Sequence, residues 1–318
     1  MFTKEEVSLL IGKQDAFGGA IATPKFYEIP RQPNANVEHQ RKKIDNPAVF
    51  KDGFKRRFAL GNHTSDGTLP SVPNLEFLPV ILRGLFGGMD TGATAGGLTP
   101  HEFNADHLRA REVIFHMLQV GFGDGLFYRH TDHVFKKASF KIPVEGIFTF
   151  DAASEGSGNL VKAVTSIDLA PTELIGNTIE YSTATVLEGG VDTGMITRLD
   201  FDIERKLVLK RPHNKSGKAS QIRYGGTTVT GEVEIYFDSE AMYDKALDAE
   251  LTQFSATLID GTGKSALITL PEVQLEPKGP KLEGDEGIMQ VFSIESVKFA
   301  DDDSPINIVV TNGTATYN

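Results

Sequence analysis

Apolar and polar residues alternate along several stretches of the chain. In the clearest three, the apolar side consists of Thr197, Leu199, Phe201 and Ile203, of Val134, Ala138, Phe140 and Ile142, and of Val233, Ile235 and Phe237. A period of two residues is that of a β-strand that buries one face. Strands with one buried and one wet face are typical of antiparallel sheets. The pattern therefore predicts a mostly-β fold.

Two short helices are predicted between these strands. The first runs from about Pro79 to Phe86, because proline suits the first helical position and Gly87-Gly88 ends the helix. The second follows Asp238-Ser239, either of which can cap it. Its residues Met242, Tyr243, Ala246 and Leu247 are expected on one side. Both helices are too short to be stable alone, so each must pack across a sheet.

The elements after each helix repeat in the same order. A strand, a glycine turn and a second strand follow both helices, and the turns are 121–125 and 260–263. Gly261 follows Gly123 by 138 residues, and the triplet Glu286-Gly287-Ile288 follows Glu145-Gly146-Ile147 by 141 residues. Near-constant spacing indicates an internal duplication. It predicts two tandem domains, 1–165 and 166–318, each with one short helix, and a glycine-rich insertion at 88–110 in the first.

Composition excludes several classes of protein. The 318 residues suffice for two domains, and 40% hydrophobic residues suffice for a core. No apolar run approaches the length of a transmembrane helix, and Glu5 and Glu6 do not fit a secretory signal. The chain has no cysteine, which excludes disulfides, thiolate metal sites and cysteine nucleophiles. We expect no membrane association.

The charge is strongly acidic overall but is locally basic in two segments. A net charge of −11 argues against general nucleic-acid binding, which rests on cationic contacts. The basic segments are 41–57 and 205–223, and they oppose an acidic stretch at 272–303. Such loops are commonly only solvated, but they could also fix the register between subunits. The candidate contact residues are Arg41, Lys42, Lys43, Lys55, Arg56, Arg57, Lys210, Arg211, Lys215 and Lys218.

No catalytic, cofactor or metal site is predicted. The turn 121–125 lacks the third glycine of a dinucleotide fingerprint, and no long helix follows it. On a regular strand, His130 and His133 would point to opposite faces, and no third ligand is signalled. Asp301-Asp302-Asp303 lacks the spacing of a calcium loop, and 154–158 is interpreted as a flexible turn. We expect no enzyme activity, no cofactor and no metal.

Several stretches, in order along most of the chain, resemble phage tail tube proteins. They are 10–24 with its Gly12-Lys13-Gln14-Asp15-Ala16-Phe17-Gly18 opening, 78–88, 238–247 with the strand pair that follows, 270–275 and 306–312. The resemblance implies antiparallel β-sandwich or barrel-like tube domains, each flanked by a short helix. It also implies a structural virion protein that closes into rings, which stack around a channel for DNA ejection. The family offers no catalytic residues to transfer.

The resemblance implies the partners as well. Six tube domains complete a ring in the family, so three two-domain chains would give a trimer with pseudo-six-fold symmetry; a hexamer of whole chains is the alternative. Rings would contact the tape measure, the tail terminator and the distal tail or baseplate proteins. DNA would pass through the lumen without specific binding. The protein would be made in the host cytoplasm and reside in the virion tail.

Three other functions remain open from sequence. One is another self-assembling β-sandwich of a virion, such as a decoration or baseplate protein. A second is a carbohydrate-binding module, which the absence of tryptophan disfavours. An enzyme is the third. Stacked rings under the microscope would separate these classes.

Overall fold

The computed structural model describes residues 7–19, 21, 25–30, 35–47, 57–71, 74–123, 125–143, 146–179, 184–193, 195–212, 216–237, 240–279, 288–297 and 304–317. The strands are β1 (Val7–Gln14), β2 (Tyr27–Glu28), β3 (Asn36–Ile44), β4 (Ala59–Ser71), β5 (Asp90–Thr91), β6 (Thr99–Phe103), β7 (Phe115–Phe122), β8 (Phe127–Pro143), β9 (Thr149–Gly156), β10 (Asn159–Ala163), β11 (Thr172–Glu173), β12 (Ala184–Glu188), β13 (Ile196–Lys210), β14 (Gln221–Tyr236), β15 (Leu251–Ile259), β16 (Ser265–Leu275), β17 (Met289–Ser296) and β18 (Asn307–Asn312). The helices are α1 (Leu78–Phe86), α2 (Ala105–Ala110) and α3 (Ala241–Leu247). The predicted mostly-β, antiparallel fold is confirmed. Within the described ranges no helix is both long and apolar enough to cross a membrane.

Strand β13 follows the predicted alternation. Leu199, Phe201 and Ile203 are buried, whereas Asp200 and Asp202 between them are partly exposed. Strand β14 behaves in the same way in its second half, where Val233 and Ile235 are buried. The period of two residues is therefore a sound guide wherever a strand is regular.

Strand β8 departs from the prediction at a β-bulge. Its pairing with β9 shifts between Phe135 and Lys137, so one extra residue enters β8 there. As a result Phe135, and not Val134, packs in the same cluster as Ala138. Val134 belongs to a separate small cluster with Ile222 and Tyr224. The expectation that Val134 and Ala138 share a face is therefore wrong.

Helix α1 is confirmed. Proline lies at its start, and Gly87 ends it in the left-handed region with a φ of 85°. A Cβ at Gly87 would lie 2.2 Å from the carbonyl oxygen of Glu112, so glycine is required at this position. All but one of its residues are buried, since the helix packs against β8 and β6.

The other helices differ from the prediction in part. Helix α3 begins after Glu240, whose side chain makes no capping bond, and the expected caps 238–239 lie outside the described residues. Ala246 is buried, but Leu247 is 56% exposed, so it is not part of the apolar side. Helix α2 was not predicted. It lies inside the 88–110 insertion and begins with a capping box at Asn104.

The strands up to β10 make one set of antiparallel pairings. Strands β1, β7, β8, β9, β4 and β3 are neighbours in that order, and β10 pairs with the first part of β8. The predicted turn 121–125 joins β7 to β8 and holds Gly123 and Gly125 at positive φ. Helix α1 precedes β7 in the chain.

The strands from β12 onwards make a second set. Strands β12, β15, β16, β17, β14 and β13 are neighbours in that order, again antiparallel, and β18 pairs with the first part of β16. The predicted turn 260–263 joins β15 to β16, and α3 precedes β15. The second set thus matches the first strand for strand. The two-domain division, with its boundary at 165, stays a prediction.

Among the described strands, two pairings connect the sets. Strand β13 lies antiparallel along the second part of β8, over 198–204 and 137–143. Strand β6 of the insertion pairs with β18. The rings of Phe140 and Phe201 stack at 4.6 Å across the first joint, and both are fully buried. The two sets therefore share one hydrophobic core.

The last residues of the chain bind beside α1. The carboxylate of Glu76 accepts hydrogen bonds from the backbone N–H of Gly313 and the hydroxyl of Thr314, at 3.0 and 2.6 Å. Arg83 donates to the carbonyl of Tyr317 at 2.6 Å. The hydroxyl of Tyr317 donates back to the carbonyl of Glu76 at 2.6 Å. These bonds fix the end of the second set onto the first.

Candidate assembly surface

The described residues of the basic segment 205–223 belong to the outer part of the hairpin that β13 and β14 form, and most of them lie on its strands. Because β13 pairs with β8 only as far as Glu204, this outer part projects beyond the joint and lies over the first set of strands. Arg211 donates to the carbonyl of His63 in β4 at 2.7 Å. Lys218 donates to the side-chain oxygen of Asn159 in β10 at 2.6 Å. The hairpin is thus an arm, held by its own chain.

Backbone bonds hold the tip of this arm as well. The N–H of His63 donates to the carbonyl of Gly217, and the N–H of Ala219 donates to the carbonyl of Ser157, both at 2.9 Å. Lys210 is exposed at the end of β13. Lys215 lies outside the described residues. Two of the four predicted contact residues in this segment therefore contact the other set of strands within one chain.

Arg205, at the start of this segment, is fully buried. Its guanidinium donates to the carbonyl of Leu85 at 2.6 Å and to that of Leu108 at 3.4 Å, at the C-terminal parts of α1 and α2. It also lies over the ring of Tyr224. Burial lowers the pKa of the guanidinium, while the helix carbonyls and the aromatic face favour its positive charge. Arg205 therefore holds the arm against both helices.

The other basic segment, 41–57, begins within β3, and its described residues are exposed. Arg41, Lys42 and Lys43 all lie exposed on β3, which pairs with β4. Arg41 donates to the carbonyl of Gly61 at 3.2 Å, and Lys43 forms an ion pair with Asp45 at 2.9 Å. Arg57 is exposed, whereas Lys55 and Arg56 lie outside the described residues.

Large apolar side chains accompany these basic residues. Ile44, Phe58 and Leu60 are each about half exposed, at 49%, 46% and 50%. The ammonium of Lys43 lies 5.1 Å from the centre of the Phe58 ring. An exposed apolar group rimmed by cations is typical of an interaction surface. We refer to β3 with residues 45–47 and 57–60 as the first arm.

The histidines of β8 lie together, contrary to the prediction. The hydroxyl of Ser65 lies 3.0 Å from Nδ1 of His130 and 2.9 Å from Nε2 of His133. The expectation of opposite faces is wrong because the β7–β8 pairing shifts here, and Asp132 between them has a φ of 61°. Nδ1 of His133 lies 3.0 Å from the hydroxyl of Ser154.

The electrostatics of this cluster fit a structural role. Burial lowers the pKa of His133 to about 3 and that of His130 to about 4, so both rings are neutral at pH 7. Among the described residues, no three His, Asp or Glu side chains lie close enough together to hold a metal ion. Residues 154–156 lie within β9, so the interpretation of 154–158 as a flexible turn is wrong for these three; Ser157 and Gly158 follow the strand, and Gly158 has a positive φ. The residues 301–303 lie outside the described part.

The fold and the surface define a class: a mostly-β protein with two matched sets of antiparallel strands and two arms. The family model described as phage tail tube protein matches residues 5–300. The chain therefore belongs to the phage tail tube protein family, and the resemblance seen in the sequence is confirmed. No curated protein matches the chain at a significant level. Membership makes it a structural component of the bacteriophage virion tail, in a family that self-assembles and associates with other tail proteins.

Proposed function

We propose that this protein is the major tail tube subunit, and that three chains close into a ring with pseudo-six-fold symmetry. Each chain supplies two wall positions, one from each set of strands. The supporting observation is the agreement of the two sets in strand order, polarity and helix position. Identical units that associate head to tail close into rings when the rotation between them allows it.

The joint within the chain supports this arrangement. The second set joins the first through β13 on β8, a side-to-side contact that continues the sheet. Repetition of one such contact around an axis removes open sheet edges, which would otherwise aggregate. Stacked rings then form a channel through which DNA leaves the virion. The ends of the tube contact the tail terminator and the distal tail or baseplate proteins. Before ejection, the lumen of the tube holds the tape measure protein. Synthesis takes place in the host cytoplasm.

The mass of one ring tests the proposal. Native mass spectrometry of rings at low concentration is expected to give three times 34.6 kDa. Six times that mass would replace the trimer by a hexamer of whole chains. Purified protein that never forms rings or tubes in negative-stain images, at any concentration that keeps it folded, would refute the proposed assembly as a whole.

A further inference from the structure

The first arm and the β13–β14 arm correspond to each other in the two matched sets of strands. Strand β3 pairs with β4 at the end of the first set, as β13 pairs with β14 at the end of the second. Each pairing has one register shift, which follows Arg41 in β3 and Arg205 in β13. The shifts indicate that Arg41 occupies the position of Arg205.

The neighbouring strands give the same register. In β4, Ser65 lies between the last residue of β9 and His39 of β3. In β14, Val229 lies between the last residue of β17 and Ile203 of β13. His39 therefore occupies the position of Ile203. The residues at the two register shifts lie two positions further along in both strands, so they match again.

Beyond the shift, the two arms carry an apolar pair at the same positions. The first pair of opposite residues after the shift contains Tyr224 in one arm and Leu60 in the other. Two residues earlier in the chain, Ile222 corresponds to Phe58. Ile222 and Tyr224 are buried, whereas Phe58 and Leu60 are 46% and 50% exposed. The first arm thus presents an apolar pair that the described part of its own chain leaves exposed.

The β13–β14 arm shows which surface covers such a pair. Its apolar pair forms a buried cluster with Val134 of β8, and Phe115, the first residue of β7, packs against this cluster. Arg205 of the same arm donates to the carbonyl of Leu85 in the last turn of α1. The receiving surface therefore combines an apolar residue at the start of a strand with the C-terminal end of the helix that precedes it.

The second set has the same kind of surface, and there it is exposed. The pairing of β7 with β8 shifts after His116, and that of β15 with β16 shifts after Thr252. Leu251 precedes Thr252 and begins β15, as Phe115 precedes His116 and begins β7. Leu251 is 39% exposed, and Leu247 in the last turn of α3 is 56% exposed.

The charges of the two surfaces are complementary. A helix C-terminus carries partial negative charge, and exposed acidic residues surround the end of α3. They are Asp244, Asp248 and Glu250. The first arm carries the exposed cations Arg41, Lys42 and Lys43. Opposite charges of this kind select the partner and orient it as it docks.

We propose that the first arm of one chain docks on the end of α3 and the start of β15 of a second copy, with Phe58 and Leu60 against Leu251. Arg41 then lies beside the last turn of α3, as Arg205 lies beside that of α1. This inference rests on the proposed ring, in which it forms the joint from one chain to the next. Each chain gives an arm to one neighbour and receives one from the other, a head-to-tail contact that can close.

Thiol cross-linking tests this contact, because the chain has no cysteine of its own. Chains with Leu60→Cys are mixed with chains with Leu251→Cys, assembled, and treated with a short bismaleimide. Assemblies of each variant alone show any cross-link between like residues. The matched control replaces Leu251→Cys by Ile259→Cys. Ile259 is similarly exposed, at 41%, but ends β15, about 26 Å from Leu251 along the strand.

The mixture with Leu251→Cys is expected to give covalent dimers on a denaturing gel, and the control mixture none. If rings form but Leu60→Cys joins neither partner, or joins Ile259→Cys instead, the docking is wrong while the ring survives. Variants that do not assemble by themselves are assembled together with unmodified protein, and a lack of dimers with Leu251→Cys there also overturns the docking. Unmodified protein that forms no rings would refute the proposed function before any cross-linker is added.

A chain that carries both Leu60→Cys and Leu251→Cys tests where the contact lies. Its covalent ladder is expected to end at the size of one ring, because each chain joins only its two neighbours. A ladder that continues past this size would show that the contact joins stacked rings, which overturns the proposed joint.

Discussion

The guanidinium of Arg205 lies 3.5 Å from the centre of the Tyr224 ring, in the interior of the protein. The hydroxyl of Tyr224 lies within hydrogen-bond distance of the carbonyl oxygens of Gly84 and Phe135, at 2.9 and 2.8 Å, and shares its one proton between them. Burial raises the pKa of Tyr224, so this hydroxyl keeps its proton. The stacked pair thus connects the β13–β14 arm with α1 and with β8.

Replacement of Arg205 by methionine is expected to lower the free energy of unfolding by about 1–3 kcal/mol, because the carbonyls of Leu85 and Leu108 lose their partner. Urea denaturation measures the change. The matched control is Lys206→Met, which replaces an exposed cation one residue further on by methionine. If both substitutions lowered the free energy of unfolding equally, the buried hydrogen bonds of Arg205 would contribute nothing to stability.

The buried histidines predict a loss of stability in acid. Burial lowers the pKa of His116 and of His133 to about 3 each, from an ordinary value of 6.5. A group with a depressed pKa stabilises the fold above its unfolded pKa, and this contribution falls as pH drops from about 6.5 towards 3. Each histidine adds a slope of about 1.4 kcal/mol per pH unit in that window.

Unfolding free energies between pH 7 and pH 4 test this expectation. His133→Gln keeps polar atoms near Ser65 and Ser154 but cannot be protonated, so it is expected to reduce the slope. His39→Gln, at a half-buried position on β3, serves as the control. If the unfolding free energy of His133→Gln fell with pH as steeply as that of the unmodified protein, His133 would not be a source of the acid sensitivity.

Charge reversal on the first arm is expected to impair assembly and leave the subunit folded. The change is Arg41→Glu, Lys42→Glu and Lys43→Glu, three exposed positions on β3. Repulsion between the arm and an acidic neighbour would slow ring formation and stacking. Sedimentation velocity measures the assembled fraction, and circular dichroism checks the fold.

The control for this triple variant carries the same change of charge elsewhere, at Arg111, Lys141 and Lys162, which are also exposed. If the arm variant formed normal tubes, or if the control impaired assembly equally, the first arm would be only a solvated segment without a role in assembly.

The purified protein is expected not to bind duplex DNA at about 150 mM salt, because strong binding needs clustered cations and the chain has a net charge of −11. A mobility-shift titration with assembled tubes and with unassembled subunits measures binding. A shift that persists at this salt concentration would contradict a lumen through which DNA passes without docking.

Regular strands could be predicted from the sequence, and irregular points could not. The alternation around Phe201 survives because nothing interrupts β13 there. In β8, one inserted residue near Lys136 and a positive φ at Asp132 move side chains between faces. Neither irregularity changes the composition of the strand. The pattern of apolar positions therefore gives no sign of them.

The burial of polar side chains could not be predicted from the sequence either. Arg205 lies two residues after Ile203, on the face of β13 that also buries Leu199 and Phe201. The alternation therefore indicated a buried position, but a charged residue is not expected there. Its partners are carbonyls at the ends of helices distant in sequence, which no local pattern specifies. Helix α2 was missed because six residues are too few for a periodic signal, although its cap at Asn104 was visible.

The pairing of β6 with β18 has a consequence for the order of folding. During synthesis, Phe103 leaves the ribosome about 200 residues before its partner Ile308, and contacts of such separation form late. The hydrogen bonds that Arg83 and Glu76 make with residues after β18 also form only once those residues have been synthesised. Prematurely terminated chains thus lack the strand that joins the insertion to the second sheet. A chain that stops before β18 therefore leaves one edge of β6 unpaired and deprives Arg83 and Glu76 of these hydrogen bonds.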